Sequence, residues 1–467
     1  MSQSTTSYTA APSSAPYPLY TDDFAQNRDE HYRRMRAAHE HIVPVEILPG
    51  VFGHLVISLR AARAVLHDRT GMWKKNPEAW AEGLPADSQA LGMMGPRPNS
   101  LFHDGEQHAR YRGVVRDAFA LIEPHHLRDM VREVADRLID RFSGQGTADL
   151  VTQFARPLPS FVFNRLFGQD DSAAPQLVGA LAGIMESGPE AFRANAEFES
   201  YMSRLITEKR ARPGANLTTW LLQHPARLDP TEVLHNMVLS VAAAQEPTTN
   251  LIGNTTRLLL CDDVVYNEVV NGTLDVLPAM DRVLATRPPM ANYGMHYADR
   301  DIYFYGRPVP ANTPVLVSFE AVGADPTGAA APASGAGAHM AWSEGPHSCP
   351  VSGMATAIAG TALIQLIHRI PDVELAVKED ELRNRPGPFH HALAALPVRF
   401  TSVTAPTRGE KPWPSNPYTT SPGSTRQDAA SRPRPPVSAS WATWLPSSCP
   451  AGYGPGHRPG TGSSRTS

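Results

Sequence analysis

Trp342-Ser343-Glu344-Gly345-Pro346-His347-Ser348-Cys349-Pro350 is the stretch whose reading decides the fold. A glycine four residues before a cysteine lets the backbone fold tightly under a planar ligand. Pro350 suits the first turn of a following helix, and residues 352–370 carry a long helical pattern. Cys349 is therefore expected at a helix N-terminus. Free N–H groups and the helix dipole there favour an anion, lower the thiol pKa and give the thiolate a metal needs. The competing reading is a buried structural cysteine, the commonest fate of a lone one. The Gly-x-His-x-Cys-Pro setting ahead of an amphipathic helix favours the ligand.

The rest of the chain bounds what that cysteine serves. There are 467 residues, 42% hydrophobic and 19% charged, an ordinary globular composition. The net charge of -4 lacks the basic excess of a nucleic-acid binder. Cys261, Cys349 and Cys449 are too few for a disulfide framework and fit a reducing cytosol. Residues 1–16 are rich in Ser, Thr, Ala and Pro without an apolar run, and read as neither signal peptide nor anchor. Met237–Ala244 is the most apolar internal run, far short of the roughly 20 residues of a membrane span. A soluble cytoplasmic protein without membrane insertion is expected.

Three segments follow from composition: a disordered N-terminus at 1–16, one folded domain at 17–404, and a disordered Pro/Ser/Gly-rich tail at 405–467. Trp441 and Trp444 in the tail could dock on a partner, but the plainer expectation is that they do nothing. Ile42–Ile47 and Val51–Ile57 flank Pro49-Gly50 and predict a hairpin. Helices are predicted at 59–67, 106–120, 124–142, 172–187, 190–211, 216–223, 231–260, 263–270, 277–286 and 352–370. Trp73–Leu101 reads as a long loop, a common place for function. Residues 291–320 read as strands and 323–337 as a Gly/Ala/Pro loop.

The cysteine stretch resembles the haem-binding loop of cytochromes P450, F-x-x-G-x-x-x-C, with Trp342 where the family usually has Phe. Four other segments match in order over roughly residues 17–400. His103–His108 with Tyr111-Arg112 resembles the start of the family's C helix. There His108 and Arg112, at i and i+4, contact a haem propionate; without the resemblance they read as a solvated basic face. Ala243-Ala244-Gln245-Glu246-Pro247-Thr248-Thr249 resembles the oxygen-binding stretch of the I helix. The resemblance makes Glu246 and Thr248 the catalytic candidates for proton relay; the plain alternative is a kink with a solvated Glu. Arg287-Pro288-Pro289 and Asn292–His296 resemble the strand beside the haem, with His296 at the position of a propionate-binding residue; alone it reads as an ordinary strand histidine. His390–Phe400 resembles the closing strands.

The resemblance implies a mainly α fold with small β-sheets in a single domain. It implies haem b (iron protoporphyrin IX), Cys349 as the iron ligand, and His108, Arg112, His296 and His347 as propionate contacts. The substrate would lie near 73–101, Leu239–Ala243, Asn292–Met295 and Ala392–Leu396. The chain departs from the family where Glu-x-x-Arg normally stands: Arg282-Val283-Leu284-Ala285 precedes Pro288-Pro289. No Lys or Arg lies between Pro308 and Ser348, so the usual buried charge cluster is expected to be lost as a whole. Pro247 takes the place of the oxygen-activating Thr, and Trp342 brings an indole N–H towards the cysteine. A small group of bacterial P450s encoded beside GTPase-type regulators, in conservon operons, shares the loss of Glu-x-x-Arg and is similar at His339–Ser343 and Gly345–His347. Two functions are expected from this. One is a monooxygenase acting on a small molecule, fed by a separate ferredoxin and ferredoxin reductase, since no flavin or iron–sulfur domain is read. The other is a haem-binding interaction or sensor protein with little turnover, working with operon-encoded regulatory proteins.

Overall fold

The computed structural model describes residues 15–85, 88, 90–184, 189–273, 275–325 and 339–403. The expected tail at 405–467, with its tryptophans, lies outside the described residues, as do Cys449, most of the N-terminal segment and most of the 323–337 loop.

Helices dominate. They are α1 Asp22–Gln26, α2 Arg28–Ala38, α3 Leu59–Leu66, α4 Glu78–Ala81, α5 Ala90–Met94, α6 Gly105–Phe119, α7 Pro124–Asp140 and α8 Pro157–Leu166. There follow α9 Ala174–Ile184, α10 Pro189–Ala211, α11 Leu217–Gln223, α12 Pro230–Leu260, α13 Asp263–Val270, α14 Leu277–Thr286, α15 Phe319–Gly323 and α16 Ser352–Arg369. The largest sheet joins β1 Tyr17–Pro18, β2 Ile42–Leu48, β3 Val51–Val56, β4 Trp73–Lys74, β6 Asn292–Ala298 and β9 Pro314–Ser318, in the order β1-β2-β3-β9-β6-β4. A second sheet runs β10 Glu374–Leu375, β11 Pro397–Arg399, β5 Thr147–Asp149; β7 Ile302–Phe304 and β8 Arg307–Val309 form a ribbon.

The predicted hairpin is β2–β3, turning at Gly50 with φ +77°. The periodic helices stand close to their expected bounds. Three regions differ. Trp73–Leu101 holds β4, α4 and α5 rather than plain loop. Helices α1 and α2 and the proline-bearing α8 carried too little apolar period to be read. Of the expected closing strands, only Pro397–Arg399 is one.

Helix α12 organises the helical side, packing against α8, α10, α14 and α16. Its start is over-determined. The Asp229 side chain accepts from Glu232 N at 2.9 Å, and Glu232 Oε2 accepts from Asp229 N at 2.8 Å, a reciprocal cap with Pro230 in the first turn. Arg110 and Tyr111 of α6 also donate to Glu232, at 2.6 and 2.8 Å, which fixes α6 beside α12. The helix runs through Pro247, which brings no N–H to the carbonyl of Ala243.

The fold carries a buried ion cluster made by residues other than those of the family's usual one. Arg282 is indeed exposed on α14, near Asp262 at 3.4 Å. Yet a different buried ion cluster stands nearby. Glu320 of α15 accepts from Arg28 Nη1 at 3.1 Å and Tyr32 OH at 3.2 Å, and meets His391 Nδ1 at 2.7 Å. The cluster ties α2, α15 and the segment before β11 together. Arg28 comes from a helix far upstream in sequence, outside the Pro308–Ser348 stretch.

Candidate active site

The loop before α16 is pinned from two sides. Gly345 has φ +73°, and a Cβ there would sit 2.1 Å from the carbonyl oxygen of Leu66, so only glycine lets the loop lie on the end of α3. Glu344 accepts from Arg63 of α3 at 3.2 Å and from His67, just past its end, at 2.9 Å. Within the loop, Cys349 N donates to Trp342 O at 2.8 Å.

Two expectations about Cys349 change. Helix α16 begins at Ser352, so the cysteine precedes its first turn rather than occupying it. Its thiol pKa is raised, not lowered: burial outweighs the Val351 N–H and the Arg112 guanidinium, both of which favour the thiolate. The Trp342 indole is not among the groups that stabilise the sulfur; the Val351 amide is.

The four sequence-predicted basic residues come together beside this cysteine. Arg112 donates to the carbonyl of Ser348. The rings of His108 and His347 stack at 4.0 Å. His347 Nε2 stands 3.5 Å from Asp104 Oδ1. His296 follows an irregularity in β6, where Gly294 takes φ +46°, and its Nδ1 lies 2.6 Å from Gly294 O.

A fifth member escaped the sequence reading. Lys75, only 3% exposed, donates from Nζ to Met295 O at 2.6 Å, and its backbone N donates to Asp104 Oδ2 at 2.6 Å. No period marks it; it is the residue after a two-residue strand in what reads as loop. The basic groups depress one another. Burial, with Lys75 and His108 adding, takes His347 down to about 4. Burial and Arg112 lower His108, and burial and Lys75 take His296 well below its ordinary value. Burial brings Lys75 down to about 8 against the pull of Asp104. His108 Nε2 is buried with no hydrogen-bond partner. Among the described residues, Asp104 is the acidic group within this cluster. The cluster is thus built to receive further negative charge.

The middle of α12 presents small side chains. Ala242 and Ala243 are exposed although the helix is central to the fold. The start of α16 is likewise accessible at Gly353 and half-buried at Met354–Ala357. Among the described residues, no group of three or more His, Cys, Asp or Glu could hold a bare metal ion. A lone thiol, an orphaned imidazole, a basic edge and a small-residue wall instead fit a planar macrocycle bearing carboxylates and an iron that needs one protein ligand. A separate cleft of about 470 Å³ lined by Tyr32, Arg36, Thr286 and Glu320 lies beside the buried ion cluster and shares no residue with this site.

The two distal candidates are not brought together. Residues two apart on a continuous helix point roughly 200° from each other. Glu246 shares the Ala242 face (i, i+4), pairs with Arg385, and accepts from Asn250 Nδ2 at 3.1 Å. Thr248 is buried at 3% exposure on the other side. Arg385, in the irregular segment before β11, was not foreseen.

No family model matches the chain. Curated relatives do. Cytochrome P450 107B1 of Saccharopolyspora erythraea is 29% identical over 398 residues, covering 81% of this chain and 96% of its own. Cytochrome P450 monooxygenase PikC of Streptomyces venezuelae is 28% identical over 410 residues, covering 84% and 95%. Among solved structures, CYP154C4 from a Streptomyces species superposes with a TM-score of 0.74 at 28% identity, covering 83% of this chain and 98% of the other. Likeness over nearly the full length of these proteins, with a cysteine loop and basic edge that suit haem, makes the chain similar to cytochromes P450 and supports that family, whose members bind haem.

Proposed function

We propose that the protein is a haem-thiolate monooxygenase that oxidises a small organic substrate with electrons from a separate ferredoxin and its reductase. The observation that carries this reading is the convergence of the Cys349 loop with the basic cluster of Arg112, His108 and His347. Relatives named as monooxygenases support it. When bound, haem supplies an iron whose thiolate ligand favours O–O cleavage. Cys349 would be that ligand, with Val351 N–H and Arg112 moderating the sulfur charge. His108, Arg112, His296, His347 and Lys75 would hold the carboxylates of haem b. Glu246 stands on the face where a proton is needed, and its ion pair with Arg385 must loosen before its carboxylate can carry one. Thr248, on the far side of the helix, would serve packing rather than proton delivery. Substrate would lie among 73–101, Leu239–Ala243, Asn292–Met295 and Ala392–Leu396.

The test has two arms. Reduced protein with carbon monoxide should give the red-shifted Soret band of a thiolate ligand. Turnover with a surrogate ferredoxin and reductase should place one oxygen atom from labelled O₂ in the product. Absence of the thiolate band would overturn the reading. The Glu246–Arg385 pair favours a second reading, a haem-binding sensor with little turnover. A good thiolate spectrum without product, against a broad substrate panel, would establish that alternative.

A further inference from the structure

Resting on the site read above, we infer that the substrate carries a carboxylate, or an anion of the same shape, which Arg97 holds. Arg97 lies in the segment between α5 and α6. That segment is fastened to α12: Ser100 N donates to Asn236 Oδ1 at 3.3 Å, and Asn236 Nδ2 donates to Pro98 O at 3.4 Å. The other end approaches β6, where Tyr297 OH donates to Met94 O at 3.5 Å. Arg97 in this segment interacts through its charge with His235 of α12 and Tyr293 of β6.

The guanidinium is desolvated by its surroundings, with Glu199 of α10 and Tyr293 as the ionisable groups that pull the other way. Yet its side chain is half-buried rather than sealed. Tyr293 behaves alike: burial pushes its phenol up to about 12 while it remains partly accessible. The guanidinium donates only to the carbonyls of Gly92, at 2.8 Å, and Gly95, at 3.5 Å; among the described residues no carboxylate is hydrogen-bonded to it. His235 Nδ1 is buried without a partner beside it. A desolvated guanidinium in a fixed fork is a carboxylate receptor.

The position of this receptor sets a length. His235, Leu239, Ala242 and Glu246 fall on one face of α12 at helical spacing. At 1.5 Å per residue, the Ala242–Ala243 step lies roughly 11–12 Å from His235. An acid anchored at Arg97 would thus present to the reaction centre a carbon about that far from its carboxylate.

The experiment titrates the haem-loaded protein with dodecanoic acid and with methyl dodecanoate, following the Soret shift. Equilibrium dialysis of the same labelled probes gives binding independent of the spectrum. The acid should bind roughly ten- to hundred-fold more tightly than the ester, the span of a charge-assisted hydrogen bond. Arg97→Gln should bring the two within about two-fold, and Arg97→Lys should restore part of the difference. Equal binding of acid and ester, a preference that survives Arg97→Gln, or no binding of either probe by dialysis would overturn the inference. A missing carbon monoxide band with an intact acid preference would instead strike at the monooxygenase reading and leave the receptor standing.

Discussion

Replacing Glu320 by Gln tests whether the buried ion cluster holds the N-terminal helix to the site side of the fold. Glu320 is 4% exposed and accepts from Arg28 and Tyr32 at 3.1 and 3.2 Å, with His391 at 2.7 Å. Burial would raise its pKa, but His391 and Arg28 outweigh that and bring it down to about 2. Against an ordinary carboxylate near 4.5, that is on the order of 3 kcal/mol. Breaking one side of a buried pair costs about 3–5 kcal/mol, because the remaining charge is stranded. The two routes agree. For a chain of this size, an unfolding entropy of ~2.1 cal/mol/K per residue makes 1 kcal/mol worth roughly 1 °C. Glu320→Gln should therefore melt about 3–5 °C below wild type at pH 7 by differential scanning calorimetry. The sign with pH follows from a depressed pKa. The stabilisation is full above about 4.5 and is lost as pH falls towards about 2, so the mutant deficit should shrink over that window. The double change Arg28→Met with Glu320→Leu should cost less than the sum of the single changes, since it strands no charge. A Glu320→Gln protein within 1 °C of wild type, or strict additivity in the double change, would refute the reasoning.

Other outcomes follow from the site. Cys349→Ala should abolish the red-shifted carbon monoxide band while Cys261→Ala keeps it; the reverse would reassign the ligand. Lys75→Met should leave the haem-free protein at least as stable as wild type, because a buried ammonium is removed. It should also speed haem loss to apomyoglobin several-fold; unchanged haem loss would take Lys75 out of the cofactor site. Pro247→Thr should lower hydrogen peroxide released per NADPH consumed and raise product, and equal coupling in the two proteins would show that Pro247 does not limit proton delivery. Arg385→Ala should free Glu246 and shift the pH profile of turnover, whereas an unmoved profile would mean that the ion pair is only structural.

The chain by itself determined the elements whose signal is local. The period of α12, the turn at Pro49-Gly50 and the Gly345-to-Cys349 spacing each lie within one window, where apolar period, turn chemistry and a helix start act over a few residues. The Gly345-to-Cys349 window also held Cys349 and His347, and the family resemblance singled out His108, Arg112 and His296, so these candidates could be named before any fold was seen. The tertiary structure decided what depends on distant partners. Lys75 joins the basic edge only because β4 pairs with β6 and brings its ammonium to Met295. Glu320 finds Arg28 across 292 positions of sequence. Glu246 is held by Arg385 and parted from Thr248 by the helix turn. The thiol pKa rises where the sequence predicted a fall, because desolvation depends on everything packed around the sulfur. Burial and long-range charge are properties of the assembled interior, and a residue's neighbours in sequence do not carry them.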